Sequence, residues 1–368
     1  MLKTILIQLF FFSCINSFSQ NLNLVTHLGL ELQESSGLIN LNGRLITLND
    51  SGGESRLYEI DTISGGITRS VFIDNATNID WEDLCFDENF IYIGDIGNNS
   101  GTRTNLKLYK VSIDDYLNTN TDTVTCEAIY FSYSDQVSFI PSIYITNYDA
   151  ETLISKGDSL YIFTKNWGNN WTNIYPIPKI PGTYSVNKID SIDVQGLITG
   201  GTFNHSDSSI MLCGYTFSNP FIVHLKNLNG LAFSSADITR NTLSMPNGNS
   251  IQIEGICPTN IYNNYFLSSE QHSSGSSSLM DLKLSTSSFA GNHFDKTIIY
   301  PNPTSNYVFV KGEQIEKLSI LDLNGVKLLE TELTNFDVSF LKPGSYQIVI
   351  FKNNHTLNET IKFLVISK

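Results

Sequence analysis

The sequence predicts an all-β protein, and three features support this prediction. Short runs of β-branched and aromatic residues recur between residues 22 and 290, for example Phe90–Gly94 and Tyr265–Ser268. Clusters of Gly, Asn, Ser and Asp separate these runs, as turns separate strands. Apolar residues with the 3.6-residue period of an amphipathic helix are absent from this region. We therefore expect a domain built from short strands and tight turns.

A repeated three-residue motif predicts how these strands are grouped. A polar residue, a small or polar residue and then Leu or Ile occur at Ser36-Gly37-Leu38, Glu82-Asp83-Leu84, Glu151-Thr152-Leu153, Gln195-Gly196-Leu197 and Glu254-Gly255-Ile256. The motifs begin 46, 69, 44 and 59 residues apart. A propeller blade takes about 40 to 45 residues, so two of these intervals would contain long loops.

A second landmark follows each motif, where a hydrophobic strand ends in a polar residue. It occurs at Asn49-Asp50, Asp95, Thr164-Lys165, Tyr215 and Ser269-Glu270. Two landmarks in fixed order predict a five-bladed β-propeller over residues 22–290, or a six-bladed one if a degenerate blade lies in a long interval. Asn23–Leu30 is expected to supply the outermost strand of the last blade and to close the ring.

Closure would bring the polar residues of the motif together at a central channel. The innermost strand of each blade would begin there, with Ser36, Glu82, Glu151, Gln195 and Glu254 pointing to one axis. Converging carboxylates repel one another, and Ca²⁺ relieves such repulsion because it accepts several oxygen ligands in flexible geometry. These five residues are the predicted metal ligands, calcium is the expected ion, and Asp80, Asp149 and Asp193 would form a second tier. Alternatively, the same side chains serve as turn residues that bond backbone amides.

Two segments of the repeat carry a family resemblance. Asp80-Trp81-Glu82-Asp83-Leu84 and Glu254-Gly255-Ile256 resemble segments of calcium-dependent phytase-like and gluconolactonase-like propellers. In those families, channel-facing acidic residues bind calcium and substrate. The resemblance implies metal positions at Glu82, Glu151 and Glu254, while Ser36 and Gln195 depart from an all-acidic set.

The sequence leaves the activity of this domain open, and no catalytic residue is assigned. It contains no Gly-x-Ser-x-Gly elbow, no His-Glu-x-x-His helix and no phosphate-binding glycine loop. A binding or scaffold module for an extracellular ligand is the first hypothesis, and a calcium-dependent hydrolase of phosphate esters or lactones is the alternative. A carbohydrate-binding propeller is the third, provided that Trp81, Trp167 and Trp171 line one exposed face.

The C-terminal region, residues 298–368, has a different pattern. Tyr300-Pro301-Asn302-Pro303, Leu318–Gly325 and Leu341–Ile350 are strands and turns that predict a small β-sandwich. In this order they resemble the type A sorting domain of the type IX secretion system of Bacteroidetes, a domain that directs periplasmic cargo through the outer membrane. The residues that match the motifs of that domain are Pro301, Asn302, Pro303, Asp322, Gly325, Gly344 and Tyr346.

The remaining features predict an exported protein. Lys3, the apolar run Ile5–Ile15 and the small residues Ser17 and Ser19 indicate a signal peptide over residues 1–19. Residues 275–297 are rich in Ser and Gly and are expected to form a boundary or linker that overlaps the propeller end. With 22 Lys and Arg against 36 Asp and Glu, and no basic run, nucleic acid is not an expected partner. No transmembrane span is expected, and the predicted destination, through the periplasm and the type IX machinery, is the cell surface or the medium.

Overall fold

The computed structural model describes residues 20–216, 219–244, 252–270, 276–284, 298–300, 304–311, 315–322, 326–352 and 359–366. In these residues the chain forms strands almost throughout, which confirms the all-β prediction. The predicted signal peptide lies outside the described residues. The chain divides into two compact units, Met1–Leu284 and Ser285–Lys368, and each is considered by itself.

The first unit contains twenty-two of the strands in the described part of the chain. In chain order they are β1 (Gln20–His27), β2 (Ser35–Leu41), β3 (Arg44–Asn49), β4 (Arg56–Ile60), β5 (Ile67–Ile73), β6 (Trp81–Phe86), β7 (Phe90–Asp95), β8 (Lys107–Ser112), β9 (Thr123–Val124), β10 (Glu127–Tyr133), β11 (Ala150–Lys156), β12 (Ser159–Thr164), β13 (Trp171–Pro178), β14 (Gly182–Val186), β15 (Asp190–Asp193), β16 (Leu197–Asn204), β17 (Ser209–Tyr215), β18 (Pro220–Lys226), β19 (Asp237–Ser244), β20 (Ile253–Pro258), β21 (Asn264–Ser269) and β22 (Ser278–Lys283). Helix α1 spans Ile113–Asn118, and 3-10 turns occur at Leu30–Leu32 and Phe233–Ser235.

These strands form five groups, each in sequence order from an inner to an outer strand. Sheet 1 is β2-β3-β4-β5-β9, sheet 2 is β6-β7-β8-β10-β14, sheet 3 is β11-β12-β13-β15, sheet 4 is β16-β17-β18-β19 and sheet 5 is β20-β21-β22-β1. Sheets 4 and 5 are continuous, because β1 runs parallel to β19 at Gln20 and Asn21.

The inner strands contact one another in cyclic order. Strand β2 contacts β6, β6 contacts β11, β11 contacts β16, β16 contacts β20, and β20 contacts β2. Both faces of these strands are covered, so their residues are nearly all buried, whereas the outer strand β19 is mostly exposed. This explains why the inner strands have continuous apolar runs instead of strict alternation.

Hydrophobic clusters fill the space between neighbouring sheets. One cluster joins sheets 1 and 2, and others join sheets 2 and 3, 3 and 4, 4 and 5, and 5 and 1. Trp81 is fully buried in the cluster between sheets 1 and 2, where its indole nitrogen donates to the Thr77 carbonyl at 3.0 Å. The largest side chains therefore hold the sheets face to face.

The N-terminal strand completes the last sheet, as predicted. Strand β1 runs antiparallel to β22, with Leu22 opposite Leu282 and His27 opposite Ser278. The strand ends at His27 instead of Leu30, because Leu30–Leu32 turns into a 3-10 segment that buries Leu32. Part of the Ser- and Gly-rich segment, Ser278–Lys283, is itself a strand with buried apolar residues.

The second unit contains two antiparallel sheets. Its strands are β23 (Ile298–Tyr300), β24 (Tyr307–Lys311), β25 (Ile315–Leu321), β26 (Lys327–Thr331), β27 (Asn335–Asp337), β28 (Gly344–Lys352) and β29 (Glu359–Val365). They are ordered β23-β24-β27 and β26-β25-β28-β29. Both sheets contribute to one core cluster, which includes Val308, Ile320, Phe336 and Ile348.

Candidate cation site at the start of the inner strands

Every inner strand carries a β-bulge at the same place. In β6 the pairing with β7 passes from Trp81 to Asp83 and omits Glu82, and in β11 it passes from Ala150 to Thr152. The residues omitted from the five ladders are Gly37, Glu82, Glu151, Thr199 and Glu254. A bulge redirects the side chain of the extra residue. The sequence motif therefore marks a real structural repeat.

The structural repeat differs from the sequence alignment in two sheets. Ser36 comes just before the bulge of β2, and the equivalent residue is Gly37. Gln195 is exposed, has a φ of 54° and precedes β16, so the equivalent residue is Thr199. The Ser36 hydroxyl donates to the Glu82 carbonyl, and the Thr199 hydroxyl donates to the Ile253 carbonyl. These two hydroxyls join neighbouring inner strands.

The three predicted glutamates are buried close together. Glu82, Glu151 and Glu254 are 2 %, 2 % and 3 % exposed. Burial raises the pKa of Glu82 well above its usual value, and nearby Asp50 and Glu151 raise it further. Burial also raises the pKa of Glu254 to about 8, with a contribution from Glu270. Both effects disfavour the ionised form of each carboxyl.

Two groups of carboxylates bring oxygen atoms together at this end of the inner strands. Oxygens of Asp50, Asp80 and Glu82 all lie within 4.8 Å of one another, and so do oxygens of Glu34, Asp50 and Glu270. Asp50 belongs to both groups. We call these five residues the carboxylate cluster.

Strand ends position the members of the carboxylate cluster. Asp50 follows β3 and Glu270 follows β21, whereas Glu34 and Asp80 precede β2 and β6. In an antiparallel pair, the end of one strand lies beside the start of the next. These loops therefore meet at the edge where the bulge of β6 presents Glu82.

Glu82 has an oxygen that no protein group satisfies. Its Oε1 is buried and has no hydrogen-bond partner among the described residues. A Cβ atom at Gly97 would clash with this oxygen and with the Asp80 carboxylate, so a glycine is needed where the two side chains approach. Because an unpartnered buried carboxylate is costly, the site requires a proton or a cation at this position.

The other acids of the carboxylate cluster are also held near the neutral state. Burial, followed by repulsion from Asp80, raises the pKa of Asp50 to about 7. Burial raises the pKa of Asp80 to about 6 even though Arg103 opposes the rise, and burial raises the pKa of Glu270 to about 7. At neutral pH the cluster is therefore partly ionised, and a bound divalent cation would displace its protons.

Nearby basic side chains serve other acids. Lys165 Nζ lies 3.0 Å from Glu151 Oε1, and Arg103 lies 2.7 Å from Asp95 and 3.9 Å from Asp80. Among the described residues, no ion pair joins Asp50, Glu82 or Glu270 to a basic side chain. The negative charge of the carboxylate cluster is therefore left largely uncompensated.

The predicted second tier is divided between the site and the scaffold. Asp80 belongs to the carboxylate cluster. Asp149 is buried and accepts hydrogen bonds from the Asn98 amide at 2.6 Å and from the Trp167 indole at 2.8 Å. Asp193 is exposed and bonds the Gln195 amide. The last two aspartates hold loops in place.

The prediction that three tryptophans line one face is wrong, because Trp81 is fully buried between sheets. Conversely, the metal prediction omitted Glu34, Asp50 and Glu270. The second landmark had marked Asn49-Asp50 and Ser269-Glu270 as polar strand ends. Only the antiparallel pairing shows that these ends lie beside the inner-strand starts.

In the second unit, the described motif residues stabilise turns. Asp322 accepts a hydrogen bond from the Val326 amide at 2.9 Å, and the Tyr346 hydroxyl donates to the Lys342 carbonyl at 2.8 Å. Gly344 begins β28. Pro301, Asn302, Pro303 and Gly325 lie outside the described residues.

Comparison with known families identifies this second unit. Residues 298–367 match the family described as the secretion system C-terminal sorting domain. The chain is thus a cargo protein of the type IX secretion system, exported to the cell surface or the medium. Among the described helices, none is long and apolar enough to cross a membrane. A search of curated proteins found no match.

Solved structures with similar folds share little sequence with this chain. PorZ, a surface component of the type IX secretion system of Porphyromonas gingivalis, is 14% identical with a TM-score of 0.36, and the match covers 90% of this chain but only 45% of PorZ. A quinonprotein alcohol dehydrogenase-like protein from Bacteroides thetaiotaomicron is 11% identical with a TM-score of 0.31, covering 92% and 68% of the two chains.

Proposed function

We propose that the first unit is a closed five-bladed β-propeller that acts outside the cell as a calcium-dependent binding module, and that the sorting domain is a β-sandwich. The cyclic contacts among the five inner strands support the blade count, and so do the five clusters between neighbouring sheets. Pairing of β1 with β22 supports closure, because it joins the N-terminal strand to the last sheet.

The carboxylate cluster, with its unpartnered Glu82 oxygen, is the observation that supports cation binding. Asp50, Asp80 and Glu82 are the primary ligands in this proposal, and Glu34 and Glu270 share Asp50 with them. Oxygen donors from four separate loops and one bulge suit Ca²⁺, which tolerates irregular geometry better than Mg²⁺. Glu151 and Glu254 then add negative charge around the ion without binding it directly.

Calcium titration of the mature protein tests this proposal. Isothermal titration calorimetry should show Ca²⁺ binding, and Ca²⁺ should raise the melting temperature of the EDTA-treated protein. Glu82→Gln and Asp80→Asn should each lower the Ca²⁺ affinity at least about tenfold, which corresponds to about 1.4 kcal/mol. Glu88→Gln is the matched control, because Glu88 is exposed and lies outside the carboxylate cluster. Equal affinities for all four proteins would contradict the assignment.

A calcium-dependent hydrolase is the second candidate, and the pKa of Asp50 favours it. A carboxyl with a pKa of about 7 beside a cation site has the proton affinity of a general base. Incubation with phosphate esters and lactones, with and without Ca²⁺, separates the two functions. The binding module shows no turnover in either condition, whereas the hydrolase shows turnover that requires Ca²⁺ and Asp50.

A further inference from the structure

The inner strands enclose a second concavity at their opposite ends. The carboxylate cluster lies where these strands begin, whereas a cavity of about 300 Å³ lies where all five of them end. Its wall includes Ile39 of β2, Phe86 of β6, Ser155 of β11, Asn204 of β16 and Pro258 of β20. The volume falls at the lower end of the range of small-molecule sites, about 300 to 1,000 Å³.

Close packing separates this cavity from the carboxylate cluster. The Asp83 carboxylate accepts hydrogen bonds from the Leu84 and Leu153 amides at 2.8 and 2.9 Å. A Cβ atom at Gly37 would lie 2.9 Å from the same carboxylate, and one at Gly255 would lie 2.9 Å from Leu38. The inner strands therefore touch across the axis, and the two ends are independent sites.

The lining of the cavity differs in charge from the rest of the protein. The chain carries a net charge of −14, yet none of the described residues that line the cavity is Asp, Glu, Lys or Arg. A charged ligand would lose its hydration here without gaining an ion pair. The lining consequently selects an uncharged ligand.

Amide and aromatic side chains supply the binding groups. Five asparagines line the cavity, and an amide both donates and accepts hydrogen bonds, as does a hydroxyl group. Asn264 is 7 % exposed, and its side-chain oxygen has no hydrogen-bond partner among the described residues. Tyr262 stands at the rim with 67 % of its surface exposed, and it offers a flat apolar face.

We propose that this cavity, with Tyr262 at its rim and Asn260 and Asn264 in its wall, binds a neutral carbohydrate. A sugar presents hydroxyl groups to the amides and its apolar C–H face to the aromatic ring. A shallower hollow of about 560 Å³ shares Phe86, Ser155 and His205 with the cavity, so the site continues along the surface. An oligosaccharide with an uncharged terminal residue therefore fits better than a single sugar.

A glycan array probed with the mature full-length protein tests the ligand class. Neutral hexose, pentose and N-acetylhexosamine oligomers should bind, whereas glycans ending in uronic acids, sialic acid or glucosamine should not. Adenosine serves as an uncharged aromatic alternative in a parallel titration. An array on which no neutral glycan binds, equal binding of charged glycans, or a preference for adenosine would each overturn the proposal.

Titration of the best-binding neutral glycan then tests the site. Tyr262→Ala should weaken binding about tenfold or more, and Asn260→Ala should weaken it less; both side chains are exposed, so neither change removes core packing. Tyr130→Ala is the matched control, because Tyr130 is 49 % exposed on β10 and does not line the cavity. Unchanged affinity of Tyr262→Ala, or an equal loss in Tyr130→Ala, would overturn the assignment to this cavity.

The same titration distinguishes this site from the cation site. Glycan affinity should be the same in EDTA and in Ca²⁺, and Asp80→Asn should leave it unchanged, because packed inner strands separate the two ends. Loss of glycan binding in EDTA or in Asp80→Asn would place the sugar at the carboxylate cluster and contradict the proposal. Failure of the calcium experiment alone would leave the result at the cavity unaffected.

Discussion

Glu82 combines three properties at one position in the chain. It is the extra residue of a β-bulge, it is almost completely buried, and one of its oxygens has no protein partner. The sequence motif was sufficient to predict Glu82, Glu151 and Glu254, because each precedes a similar run of strand residues. It did not predict Asp50 and Glu270 as ligands, since they reach the site from other strands.

Titration of the carboxylate cluster should make the stability of the metal-free protein depend on pH. The folded pKa values of Asp80, Asp50 and Glu254 are raised to about 6, 7 and 8, whereas unfolded carboxyls titrate near pH 4. The folded state therefore binds more protons between these limits. Its stability is greatest at the acid end and falls as the pH rises through about 6 to 8.

Thermal unfolding in EDTA at about pH 5 and pH 8 measures this effect. We expect a lower melting temperature at pH 8, and a larger stabilisation by Ca²⁺ at pH 8 than at pH 5, because protons compete with the cation. Asp80→Asn should flatten the dependence. A melting temperature in EDTA that rises between the two pH values would be inconsistent with raised pKa values.

Gly97 should be essential for the cation site, although it supplies no ligand. The methyl group in Gly97→Ala would overlap Glu82 Oε1 and the Asp80 carboxylate, so these side chains must move apart. We expect Ca²⁺ affinity to fall by about tenfold or more. Gly66→Ala is the control, because its new Cβ atom would meet only Ser64 Oγ, at 3.4 Å. Similar Ca²⁺ affinities in both variants would show that the approach of the two carboxylates is unimportant.

At the scale of the element, local patterns identified strands better than their pairing. The β-branched runs predicted β3, β7, β12 and β21, and the N-terminal segment paired with the last sheet as expected. The bulges were not predicted, because a bulge is defined by the partner strand. For the same reason Gln195-Gly196-Leu197 resembled the motif, although the bulge of that sheet lies at Thr199.

Strand β1 should contribute strongly to the stability of the first unit. Leu22 is 3 % exposed and packs in the cluster between sheets 4 and 5, so Leu22→Ala should lower the free energy of unfolding by about 2 to 5 kcal/mol. Leu24 lies on the same strand but is 40 % exposed. Leu24→Ala should therefore cost less than about 1 kcal/mol. Chemical denaturation of both variants measures the difference, and equal losses would argue against a sealed joint at β1.

At the scale of the whole molecule, the sequence predicted the export route more specifically than the ligand. The tail motifs identified the sorting domain, because they occur in a fixed order within about 70 residues. Ligand choice depends on the two ends of the inner strands, where residues from all five repeats meet. Such convergence is visible only in the folded chain.

Removal of residues 298–368 should change the location of the protein without unfolding its first unit. The two units are separate in the chain, dividing at Leu284 and Ser285, so the truncated protein should keep its stabilisation by Ca²⁺. In a bacterium with type IX secretion, fractionation should find the truncated protein in the periplasm and the full chain at the surface or in the medium. Removal of residues 1–19 is the comparison, since it should retain the protein in the cytoplasm. Surface delivery of the chain that lacks residues 298–368 would show that export does not depend on the sorting domain.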